Sequence, residues 1–195
     1  MNHATEDRAP ADRLPDDDVI AILLEQHARV RELFGAVLGA EDETDKRRLF
    51  HELRATLAVH EAGEEMVLRR ASCKCVGSDV TEARNEEEEH ITRALADLEV
   101  FDVSRLEFDP ALRRLERMVS HHAEMEEREE FPQVLEGCTP EQRRHMGHRL
   151  RTVEKFAPTR PHPGVVGSAA SQWMIGPFAS LLDRVKDAME GLGRA

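Results

Sequence analysis

Of the chain's 195 residues 34% are charged, the net charge is −12, aromatic residues make up only 4% and tyrosine is absent. So acidic a chain excludes nucleic acid and anionic membrane surfaces as partners, and it has no apolar run long enough to span a bilayer. Three cysteines are an odd count, which argues against a disulfide framework and for a reducing cytoplasm, and the dominance of Leu, Ala, Glu and Arg over strand formers predicts an all-α fold.

Residues 1–15 are polar, carry two prolines and lack the basic start and apolar segment of a signal peptide, so they read as a loose tail. Asp16, Asp17 and Asp18 offer N-caps to a first helix running to about Leu38. Its apolar stripe is Ile20, Leu23, Leu24, His27, Phe34, Val37 and Leu38. A second helix begins near Thr44–Asp45, aligns Leu49, Leu53, Leu57, His60, Glu64 and Val67, and ends before the turn-rich stretch at Ser72. The third spans about 79–101, with Ala83, Glu87, His90, Ala94 and Leu98 on one side. Pro110 suits the first turn of a fourth helix, which carries Leu112, Leu115, Val119, His122 and Glu126 until Pro132 kinks or ends it.

These four amphipathic helices, over residues 16–135, suit packing as a helical bundle. Thr139-Pro140-Glu141-Gln142 then signals an added helix over 136–157, with cap, N1 proline and capping-box glutamine ahead of Met146, Leu150 and Val153. Residues 158–195 read as a Pro-rich linker followed by a C-terminal amphipathic helix with Phe178, Leu181, Leu182, Val185 and Met189 on one side. That face is expected to cover a hydrophobic surface beside the bundle's mid-height layer or to join two copies as a homodimer.

The anomaly is polar residues on apolar stripes. Each bundle helix places one histidine there, His27, His60, His90 and His122, and the second and fourth add Glu64 and Glu126 four residues later. A spacing of i, i+4 stacks two side chains on one face, so each His-x-x-x-Glu pair can approach one object. Counting about 1.5 Å per residue from the turns puts all these residues in one layer near mid-height. A lone stripe histidine is more often a satisfied core residue than a ligand. Six converging polar groups instead need a compensating charge, because an unpaired buried carboxylate costs several kcal/mol. All six are N/O donors, which suits iron, manganese or zinc rather than a soft metal. His121 reads as flanking, His145 and His148 as exposed, and Glu86–Glu89 as a solvated face from which Glu86 or Glu87 can reach the metal or a ligand.

The segments LLEQHARVRELF, LAVHEAGEEMVL, EEEEHITRALADL and SHHAEMEEREEFP, within about residues 17–135, resemble the hemerythrin HHE cation-binding family. The resemblance implies an antiparallel up-down-up-down four-helix bundle over residues 16–135 and an oxo- or hydroxo-bridged di-iron centre, also bridged by carboxylate, held by His27, His60, Glu64, His90, His122 and Glu126. It further implies a small oxidant as ligand: oxygen, peroxide or nitric oxide, bound, sensed, or turned over by catalase-like or reductive chemistry. Two departures bear on this. The chain reads Met66-Val67-Leu68-Arg69 where many relatives have Tyr-Pro or His-Pro, and the residue one turn before His90 is acidic. A carboxylate-richer shell favours the ferric state, which leans away from reversible oxygen carriage.

Three rivals stand beside this reading. A ferritin-like di-iron oxidase would use Glu-x-x-His, the reverse of the order here. A metal-free interaction module would use the C-terminal helix, and a redox sensor would use Cys73 and Cys75, a strained pair for a disulfide.

Overall fold

The computed structural model describes residues 14–69, 76–156, 180 and 182–187. Residues 1–13, Cys73, Cys75, the linker, and Phe178, Leu181 and Met189 lie outside the described residues. Among those described there is no strand. The helices are α1 (Val19–Gly39), α2 (Glu43–Gly63), α3 (Ser78–Glu99), α4 (Phe108–Met125), α5 (Phe131–Gly137) and α6 (Pro140–Phe156), and residues 182–187 are also helical.

Local chemistry sets the helix starts. Asp18 caps α1 by accepting from the Ile20 N–H at 3.0 Å, and Asp42 caps α2 by accepting from Thr44 and Asp45, both at 2.9 Å. At α6 the expected capping box is present: the Thr139 N–H donates to Gln142 Oε1 at 2.8 Å and the Gln142 N–H to Thr139 Oγ1 at 3.3 Å. The short connection between α1 and α2 makes them antiparallel neighbours; α3 packs on α4, and α1 also packs on α4. Phe34, Leu53, Leu95, Leu98, Leu112 and Leu115 are almost wholly buried between them, each worth about 1.5–3 kcal/mol relative to exposure.

α1 is buried on more than its expected stripe. Val19, Ile22, Gln26, Val30 and Leu33 are buried as well, because α6 lies across its second face. Arg143 of α6 donates from Nε to Asp18 Oδ2 at 2.8 Å and from Nη1 to the Cys138 carbonyl, also at 2.8 Å. Gly147 lets α6 approach closely: a Cβ there would sit 2.0 Å from the Asp17 carbonyl oxygen. Met146 and Leu150 face inward as expected, whereas the Val153 side chain lies outside the described residues. Val185 is fully buried in the core cluster, Leu182 packs against it, and Lys186 pairs with Glu65.

Two α-helices widen into single π-helical turns, Glu64–Leu68 after α2 and Glu126–Glu130 after α4. In each, the glutamate's carbonyl accepts from the N–H five residues on, Arg69 and Phe131 respectively. At the second, Pro132 removes a donor from the ladder, which therefore shifts register. Pro132 thus does not end the helical run, which continues as α5 to Gly137. No proline accompanies the first turn. What the two share is that each begins at a glutamate of a His-x-x-x-Glu pair, and π turns collect at functional sites.

Candidate metal centre

His27 (α1), His60 and Glu64 (α2 and its π turn) and His122 and Glu126 (α4 and its π turn) converge in the bundle core, all buried. Their donor atoms form two groups that could each hold a cation. One is His27, His60, Glu64 and Glu126; the other is Glu64, Glu88, His122 and Glu126. Glu64 and Glu126 belong to both, so the two positions are adjacent and share two carboxylates.

Every histidine is held by its outer nitrogen. His27 Nδ1 lies 2.6 Å from Glu127 Oε1, His60 Nδ1 3.0 Å from Gln26 Oε1, and His122 Nδ1 2.9 Å from Glu87 Oε2. An acceptor at Nδ1 makes that nitrogen the N–H and leaves Nε2 with a lone pair in the neutral ring. All three Nε2 atoms point into the cluster. His27 Nε2 lies 3.3 Å from Glu126 Oε2 and 3.2 Å from His60 Nε2; His60 Nε2 lies 3.5 Å from Glu64 Oε1, and His122 Nε2 3.1 Å from Glu126 Oε1. Phe131 stacks on the His27 ring at 5.7 Å between centroids. Such outer partners fix tautomer and orientation of metal-binding imidazoles.

The carboxylates lack what the imidazoles have. Both oxygens of Glu64, both of Glu126 and Glu130 Oε2 are buried without a hydrogen bond; the contacts of Glu126 with His27 and His122 are close but not aligned as hydrogen bonds, and Glu88 Oε1 is in contact with Arg69. Orphaned buried carboxylate oxygens are rare because each forfeits its desolvation energy. Their convergence on imidazole lone pairs fits a pair of hard or borderline cations.

Electrostatics of the metal-free cluster carry the same message. Burial and the neighbouring His27 push His60 down to about 3, so its ring is neutral. Burial would also depress His122, but Glu126 and Glu87 outweigh it and raise the ring to about 9. His27 is raised in the same way, burial being outweighed by Glu126 and Glu127. Burial and the neighbouring Glu126 push Glu64 well above the usual carboxylate range, while His122 and His27 overcome burial and hold Glu126 well below it. Buried carboxylates and imidazoles thus compensate one another's charge within the cluster.

His90 is not brought to this cluster. It is exposed, and α3 turns Arg84, Glu88, Ile91, Leu95 and Leu98 inward instead. The expected stripe of Ala83, Glu87, His90, Ala94 and Leu98 is about one residue out of phase, because Ile91 and Leu95 bury far more apolar area than Ala83 and Ala94. Glu88 reaches the cluster where His90 was expected. Glu87 serves as the outer partner of His122, one of the two roles open to it. His145 and His148 are exposed, as expected, and His121, read as flanking, is exposed too.

Sequence reasoning missed Glu88, Gln26 and Glu130. Glu88 was signalled by its a/d spacing to Ile91, Leu95 and Leu98, and Glu130 by its i, i+4 spacing from Glu126. Gln26 lies on the second stripe of α1 with Ile22, Val30 and Leu33, which only the docking of α6 makes interior. It also links α6 to the cluster: Gln26 Nε2 donates to Glu154 Oε1 at 2.8 Å while its oxygen holds His60.

Beside the imidazoles lies a cavity of about 30 Å³, lined by Val30, Leu57, Ile91, Val119 and Ala123 and by His27, His60 and His122. That is room for a molecule of about the size of water.

The family model described as Hemerythrin HHE cation binding domain matches residues 18–134, from the N-cap of α1 into α5. The chain is similar to a hemerythrin-like protein of the fission yeast Schizosaccharomyces pombe, 25% identical over 171 residues that cover 86% of this chain and 84% of the relative. No solved structure matches the chain.

Proposed function

The chain belongs to the hemerythrin HHE cation binding domain family, and we propose that its core cluster holds a non-haem di-iron centre that reacts with a small oxidant. One observation carries the reading. Two donor groups share Glu64 and Glu126, whose four oxygens are buried without hydrogen bonds among the described residues and face the Nε2 atoms of His27, His60 and His122. His27, His60, Glu64 and Glu126 would hold one iron, and Glu64, Glu88, His122 and Glu126 the other. When bound, the pair supplies Lewis acidity and electrons to a small ligand.

The chain's own residues do the rest. Glu127, Gln26 and Glu87 keep the three imidazoles aimed inward, so the donors need little reorganisation on loading. The cavity is lined by apolar Val30, Leu57, Ile91, Val119 and Ala123 together with polar Arg31, Glu61 and Ser120, and its small volume suits a ligand such as oxygen, peroxide or nitric oxide. Glu88 adds a third carboxylate where a fourth histidine was expected. Carboxylate donors stabilise the higher oxidation state, which favours turnover or sensing of peroxide or nitric oxide over reversible oxygen carriage. The three cysteines and the acidic surface fit a reducing cytoplasm, and no helix among the described residues is long and apolar enough to cross a membrane.

The test is iron analysis of the purified chain, with optical spectra recorded during anaerobic addition of oxygen, peroxide and nitric oxide. Iron in the protein and a distinct, saturable spectral change with peroxide or nitric oxide are expected. A chain that holds no iron, or whose iron spectrum ignores all three, contradicts the proposal.

A further inference from the structure

The two halves of the cluster share Glu64 and Glu126 but differ in what completes them. His27 and His60 complete one, two rings whose Nε2 atoms face the shared carboxylates. His122 and Glu88 complete the other, and Glu88 is already engaged. Arg69, the residue closing the first π turn, donates from Nη1 to Glu88 Oε2 at 2.7 Å, and its Nη2 contacts Glu88 Oε1. The pair is two-pronged and largely buried, with the two side chains only 12% and 9% exposed.

A guanidinium in this position is a fixed cation, since arginine keeps its charge in proteins. Glu88 belongs to the donor group that also holds Glu64, His122 and Glu126. Among the described residues no arginine or lysine forms an ion pair with Glu64 or Glu126, the carboxylates common to both groups.

We propose that Arg69 is a built-in counter-cation of the second half, so that the two metal positions fill unequally: the first ion enters between His27 and His60, and the second gains Glu88 only by displacing Arg69. This rests on the metal reading proposed above. It gives the chain a one-metal form in which Arg69 balances the charge that the second ion would bring.

The experiment is anaerobic calorimetric titration of the metal-free full-length chain with Fe(II). The wild type should bind in two steps, the second at least tenfold weaker. Arg69→Met keeps the side chain's length and removes its charge, and should strengthen the second step at least tenfold while moving the first less than threefold. Glu88→Gln removes the carboxylate that both cations contest; it should weaken the second step at least tenfold and spare the first. Glu88→Gln also decides the matter if Arg69→Met does not fold. An unchanged or weaker second step in Arg69→Met, or a wild-type second step in Glu88→Gln, overturns the role of Arg69 while leaving the metal centre standing. A wild type that binds no Fe(II) overturns both, and two equally tight steps overturn the counter-cation alone.

Discussion

Glu126 is common to both donor groups, is wholly buried, and lies 3.1 Å from His122 Nε2 and 3.3 Å from His27 Nε2. Glu126→Gln preserves its shape and removes its charge. Two consequences can be separated. In the loaded protein both metal positions lose a shared ligand, so iron content should fall towards zero rather than by half. In the metal-free protein His122 loses the larger of the two partners that hold it at about 9. A ring raised from 6.5 to about 9 stabilises the fold fully below pH 6.5, and the contribution disappears as pH rises through 9. At pH 7 that amounts to roughly 2–3 kcal/mol, shared between Glu126 and Glu87. The gap in stability between metal-free wild type and Glu126→Gln should therefore be widest near pH 6 and close above pH 9. Urea denaturation of both chelated proteins across that range measures it, and NMR titration of His122 should place its pKa near or below the ordinary value in the variant. A gap independent of pH, or an unmoved His122, would refute the electrostatic account of the cluster.

Other changes probe other links. His90→Ala should leave iron content unchanged, since His90 is exposed; loss of iron on that change would restore it to the ligand set. Gln26→Leu removes the acceptor that orients His60 and should weaken iron binding about 10–100-fold by chelator competition. Wild-type retention would mean that packing alone aims the ring. Gly147→Ala drives a methyl group against the Asp17 carbonyl and should cost about 1–3 kcal/mol on thermal or chemical melting, with faster iron release as Glu154 draws away from Gln26. A neutral effect would show that α6 can shift outward freely. Chelation of the wild type should lower the melting midpoint, because the emptied core keeps orphaned carboxylates.

Where chemistry is local and periodic, the sequence was legible. Asp18 and the Thr139–Gln142 box announced their helix starts, and the His-x-x-x-Glu pairs of α2 and α4 announced their face. The failure on α3 has a simple cause. A stripe anchored on His90 runs through the small Ala83 and Ala94, whereas the larger Ile91 and Leu95 set the buried face and turn His90 outward. Gln26 and Arg69 were out of reach for a different reason. One becomes interior only when α6 docks, and the other meets Glu88 only because a π turn rotates the end of the second helical run, neither of which leaves a periodic trace. The same turns escaped prediction at Glu64 because nothing in residues 64–68 forbids an ordinary α-helix.

Mössbauer spectroscopy of the iron-reconstituted chain would read whether Glu64 and Glu126, common to both donor groups, hold two irons as a pair. The account predicts two irons per chain, one for each donor group, magnetically coupled in the oxidised state and lost together in Glu64→Gln/Glu126→Gln. A single uncoupled iron, or a coupled pair that survives that double substitution, would contradict it.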